Sequence, residues 1–146
     1  MGKEINVLGV VIDNHTVRES MLLVDEYLNN DFLNTINMIF ADTLIKASEN
    51  ANFQEFVEES DMNIIGDKTI LEAIGYADTQ RIEEVEEELF ISQFLKHALR
   101  SRKSVFILCE DEDSIEEISE YLIEEYKDLE IVGKYAVKNN SSDDDL

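Results

Sequence analysis

The sequence predicts an α/β protein built on a doubly wound, mostly parallel sheet of about five strands with helices on both faces, a Rossmann-like layering. Three observations carry this prediction. Short apolar runs alternate with stretches of helical periodicity in the order β-α-β-α-α-β-α-α-β-α-β, as happens when helices cover both faces of one sheet. The run Val105 to Cys109 is continuously apolar, as in a strand buried on both faces of a parallel sheet. Two turns open into capping boxes, Thr16-Val-Arg-Glu19 and Ser114-Ile-Glu-Glu117, in which hydroxyl and carboxylate satisfy the free amides of a helix start.

In chain order, Ile5 to Val11 reads as the first strand. Asp13-Asn-His15 is the turn into a helix reaching about Asn30, with Val17, Met21, Val24 and Leu28 inward. Thr35 to Phe40 is the second strand, and Ala41 to Ala47 is helical. Asn52 caps a third helix ending near Ser60. Met62 to Ile65 is the third strand, after which Gly66-Asp-Lys-Thr69 leads into a helix ended by Gly75. Ile82 to Arg102 reads as one long helix, glutamate-rich at its start and carrying Lys96, Arg100 and Arg102 at its end, a polarity that suits the helix dipole. Leu129 to Val132 is a strand ended by Gly133, and Lys134 to Val137 is a short edge strand. Residues 1–137 read as a single domain and 138–146 as an acidic, disordered tail.

Thirty-four acidic against 12 basic side chains give a formal net charge of −22. Such a surface repels phosphate backbones and anionic lipid, so neither nucleic acid nor a membrane is an expected partner. One cysteine forms no internal disulfide, and no signal peptide or membrane-length apolar run is read, so the expected location is cytoplasmic.

Several stretches match a known family. Asn6-Val-Leu-Gly-Val10 with Asp13 and Thr16, the Ala41, Asp42 and Ala47 framework, Arg81-Ile82, and Tyr126 with Leu129, Ile131, Val132 and Gly133 fall at matching places. On these residues the chain resembles the bacterial WecG/TagA/CpsF glycosyltransferases over about residues 4 to 137. The resemblance implies an α/β fold and an inverting, metal-independent transfer. An N-acetylmannosamine-type sugar would pass from UDP to a lipid-linked acceptor in cell-surface polysaccharide synthesis. It also implies a catalytic base beyond the third strand, in a Pro-Asp-Gly segment that falls on Ile65-Gly66-Asp67. Asp67 is therefore the candidate base, with Asp13 and Asp42 as candidate substrate-binding residues. The framework continues where the chemistry does not. Met38 and Phe40 stand in place of a polar Thr and Asn, the acid and glycine at 66 and 67 are exchanged, and Cys109-Glu110 replaces a glycine pair.

The residues themselves supply little else that is reactive. No His, Cys, Asp and Glu set has metal-ligand spacing, and no Gly-rich phosphate cradle is present. His15 and His97 read as structural or solvated, Cys109 as a buried small hydrophobe, and Glu110 to Asp113 as a solvated acidic loop. A receiver-like signalling domain lacks its phosphoacceptor after the third strand. The expected function is that of a shortened, degenerate family member, catalytically inactive and acting by binding. It requires no cofactor, and its partner is a second copy or an active glycosyltransferase. The alternative is an active transferase with a UDP-sugar donor.

Overall fold

The computed structural model describes residues 4–76 and 78–138. The fold is mixed α/β, and the chain divides into two compact units, Met1–Ser92 and Gln93–Leu146. The tail from residue 139 onward lies outside the described residues.

In the first unit the opening apolar run is a hairpin and not one strand. β1 (Glu4–Val7) pairs antiparallel with β2 (Val10–Asp13). Leu8 and Gly9 turn the chain with φ of 56° and 82°, and Asn6 Oδ1 accepts the Gly9 N–H at 3.0 Å. Two positive φ values in succession belong to the tight turn that matches strand twist. Helix α1 (Val17–Leu28) opens with the expected Thr16–Glu19 capping box and buries Val17, Ser20 and Val24. β3 (Ile36–Ile39) pairs in parallel with β4 (Met62–Ile65), and between them run α2 (Ala41–Glu49) and α3 (Ala51–Glu59). The cap of α3 is Asn50, whose Oδ1 takes the Phe53 N–H at 3.0 Å, two residues before the expected Asn52. α4 (Lys68–Ala73) ends before Gly75, at φ 74°. A core of Val10, Ile12, Ile39, Leu44, Val57, Ile65 and Leu71 joins hairpin, strands and helices.

The expected long helix is two helices, α5 (Thr79–Glu86) and α6 (Leu89–Arg100). The break falls at Glu88, in the left-handed region at φ 54°. It places Glu86, Glu87 and Glu88 at the carboxyl end of α5, where the dipole disfavours acid. Crowded glutamates repel one another at helical spacing, and ending the helix there relieves that repulsion.

In the second unit β5 (Ser104–Cys109) pairs in parallel with β6 (Glu130–Ala136), and α7 (Glu112–Glu125) crosses between them. The cap of α7 is Asp111, which accepts the Ser114 N–H at 2.8 Å, so Ser114 lies inside the helix and does not open it. Gly133 does not end β6. The strand continues through the expected edge segment after a bulge that leaves Val132 without a partner and sets Gly133 opposite Phe106. One face of this pair packs on α7 through Ile107, Ile115, Leu122 and Ala136. The other exposes Phe106, Leu108, Val132 and Tyr135, so β5 is not buried on both faces.

The ladders are three two-stranded sheets, one antiparallel and two parallel, and a continuous five-stranded sheet is not among them. A side chain accounts for part of this. Asp13 Oδ2 accepts the Asn63 N–H of β4 at 2.9 Å, taking a donor that a neighbouring strand's carbonyl would otherwise use. Among the described residues no helix is long and apolar enough to cross a membrane.

Candidate functional site

Within the first unit, β3 and β4 point their carboxyl ends at the starts of α2 and α4, the edge where α/β folds gather ligands. The Gly66 N–H donates to the Ile39 carbonyl at 2.8 Å, extending the ladder one residue past β4. Phe40, just beyond β3, lays its ring over Gly66. A Cβ on residue 66 would stand 2.8 Å from Phe40 Cε1, so glycine is what permits this approach.

Asp67 caps α4. Its Oδ1 accepts the Thr69 N–H at 3.0 Å and the Thr69 hydroxyl at 2.7 Å, while Oδ2 faces the Ala41 N–H at 3.4 Å. The Thr69 hydroxyl bond, followed by the backbone bond, holds this carboxyl below its ordinary value. A carboxylate so stabilised gives up affinity for a proton, which opposes work as a general base.

Gly66 also borders a cavity of ≈ 20 Å³, lined further by His15, Ser20, Met38, Arg81 and Glu84. That volume admits one water-sized group. Arg81 is 4 % exposed. Its Nε donates to Asn14 Oδ1 at 3.1 Å and its Nη1 to Glu84 Oε1 at 3.2 Å. Glu84 in turn accepts the Val17 N–H at the start of α1, at 3.2 Å. Burial pulls the guanidinium below its ordinary value and the Glu84 charge opposes that shift. Both N–H groups on Nη2 have no partner among the described residues, and His15 Nδ1 is buried without one.

Of the sequence candidates, Asp67 and Asp42 follow the carboxyl ends of β4 and β3, with Asp42 in the exposed first turn of α2. Asp13 is spent on the amide of Asn63, the second residue of β4, towards its amino end. Nearby, Tyr27 is raised by burial and then by the charges of Asp61 and Asp13. The described residues contain no three His, Cys, Asp or Glu side chains gathered closely enough to hold a metal ion. Sequence reading takes Arg81 as family framework and His15 as structural or solvated, and the structure brings both to the cavity. The available signal was the position of Arg81 itself, a cation matched to the family at the entry of a glutamate-rich helix.

A parallel strand pair with helices leaving its carboxyl side, and Gly66 and Asp67 at that edge, define an α/β domain. The model of the family described as Glycosyl transferase WecG/TagA/CpsF matches residues 5–145, and the chain belongs to that family. No curated protein matches the chain.

Proposed function

We propose that this chain is a WecG/TagA/CpsF-family domain that has lost transfer chemistry and acts by binding, as an accessory protein of cell-surface polysaccharide synthesis in the cytoplasm. The observation that carries the reading is the edge at Phe40. Where the resemblance calls for a polar side chain, an aromatic ring covers Gly66, and the cavity beside it is ≈ 20 Å³. Ligand pockets for small molecules hold roughly 300–1,000 Å³, so this cavity does not admit a nucleotide sugar. Asp67 supports the same reading, since its oxygens are engaged in capping. The doubly wound, five-stranded arrangement of the family remains the proposed parent architecture. The proposed partner is a second copy or an active glycosyltransferase, met through the apolar face of β5 and β6.

The alternative, an active transferase, draws on Arg81. Its free Nη2 donors are suited to a phosphate oxygen, with Asp67 taking the acceptor hydroxyl's proton as the acceptor oxygen displaces UDP from the sugar. One experiment separates the two. The full chain is titrated with UDP and UDP-N-acetylmannosamine by calorimetry and assayed for turnover with a lipid-linked acceptor. The expected result is no heat at millimolar nucleotide and no product. Micromolar UDP binding, or turnover abolished by Asp67→Asn, overturns the inactive reading.

A further inference from the structure

The second unit carries a second recess, unrelated to the transferase edge. From Leu89 to Cys109 the chain contains no Asp or Glu, although the whole bears −22, and the cations of that stretch are Lys96, Arg100, Arg102 and Lys103. They fall on the last turns of α6 and the turn into β5. This turn is a Schellman closure. Lys103 N–H bonds Ala98 O at 2.9 Å and Arg102 N–H bonds Leu99 O at 3.2 Å, with Arg102 at φ 55°. The helix carbonyls are thus satisfied by backbone, and neither basic side chain is needed to cap them. Arg102 occupies the left-handed position that glycine normally takes, as Leu8 and Glu88 do elsewhere in the chain.

Arg102 and Lys103 line a recess of ≈ 460 Å³ at the amino ends of β5 and β6, with Ala98 and Leu99 as its apolar part and Asp128 and Glu130 as its acidic part. None of these four ionised side chains makes an ion pair or hydrogen bond among the described residues. We propose that this recess binds a small phosphorylated amino sugar, its phosphate on Arg102 and Lys103 and its ammonium and hydroxyl groups on Asp128 and Glu130. The volume lies within the range of small-molecule sites. Guanidinium and ammonium groups form charge-assisted bonds with phosphate, and carboxylates form them with ammonium. A compact ligand senses the local potential within a Debye length of about 8 Å, whereas a long polyanion would also meet the acidic remainder of the surface.

The test is an amide NMR titration of the full chain with glucosamine 6-phosphate, glucose 6-phosphate, glucosamine and inorganic phosphate. Saturable shifts confined to residues 98–104 and 128–131 are expected for glucosamine 6-phosphate, with affinity about tenfold or more above phosphate or glucosamine alone. Equal affinity for inorganic phosphate, or shifts that do not saturate, overturns the assignment. Arg102→Gly relieves the left-handed strain, so it is expected to fold while binding about tenfold more weakly. Lys103→Gln serves as a second variant in the unaltered turn with the same expected loss. Unchanged affinity in both refutes the cationic wall. Asp128→Asn is expected to shrink the preference for glucosamine 6-phosphate over glucose 6-phosphate, and an unchanged preference refutes the acidic wall.

Discussion

Replacing Arg81 by Met removes the guanidinium and leaves its two partners behind. Arg81 is 4 % exposed and the side chain of Glu84 12 % exposed, so the pair lies mostly out of water. Breaking a buried pair by deleting one member costs about 3–5 kcal/mol, because the surviving charge stays buried. Two features set the expected value at the lower end. Glu84 keeps the Val17 N–H at 3.2 Å, and it retains some contact with solvent. Asn14, 5 % exposed, loses its Nε donor, which adds to the penalty. The expected loss for Arg81→Met is therefore about 3 kcal/mol. At about 2–4 °C per kcal/mol for chains somewhat longer than this one, the melting temperature falls by roughly 6–12 °C. Urea unfolding gives the free energy directly. The double variant Arg81→Met with Glu84→Leu removes the stranded charge and should be at least about 1 kcal/mol more stable than Arg81→Met alone. A single-variant loss below about 1 kcal/mol, or strict additivity in the cycle, would show that the pair is not the buried anchor described here.

Two further outcomes follow from the caps and the open sheet face. Asp67→Ala should cost about 1 kcal/mol at neutral pH, the usual value of a helix N-cap. Because the folded pKa of Asp67 lies below the 3.8 of an unperturbed aspartate, its contribution is present above that value and lost as pH falls through the folded pKa. The gap between wild type and variant should close in acid unfolding curves, and a pH-independent gap would contradict the ionised cap. The face bearing Phe106, Leu108, Val132 and Tyr135 should drive concentration-dependent self-association in sedimentation velocity. Leu108→Lys should abolish it while lowering the net negative charge, so dissociation could not be blamed on added repulsion. A wild-type chain monomeric at every concentration would refute the self-association.

What could be read from the residues was decided by whether local chemistry was unambiguous. Thr16 and Glu19 form their box as expected, the competing acceptors upstream being engaged elsewhere, Asp13 by the Asn63 N–H and Asn14 by Arg81 Nε. Ser114 lost the same role to Asp111, one of four consecutive acids, any of which suits a helix start. The hairpin was hidden because Leu8 holds a position that Asn usually fills, leaving Gly9 alone to mark the two-residue turn. The α5–α6 break has no Gly or Pro to mark it, only charge crowding that ends at Glu88. The stretch Gly66-Asp-Lys-Thr69 was legible as a helix start, and Asp67 caps that helix through Thr69 two residues on. The burial of Arg81 was missed because one cation among glutamates looks like a solvated surface pair, and only three-dimensional packing buries it beside Asn14. The exposed side of β5 was illegible for a related reason, since continuous apolarity states what a strand can bury and not whether anything covers it.

The bulge in β6 shows which of its residues the strand can spare. Val105 pairs with Ile131 and Phe106 with Gly133, so Val132 belongs to no rung of the ladder. Deleting it shortens the chain yet leaves every other pairing as it stands. Ironing the bulge out without a deletion slides the rest of β6 by one place, bringing Tyr135 opposite Cys109 on the side where Ala136, 2 % exposed, now fits. A phenol ring cannot enter a space shaped for a methyl group. The strand therefore tolerates the loss of a residue more readily than a slip in alignment, and the size of Ala136 is what locks the reading frame of the ladder.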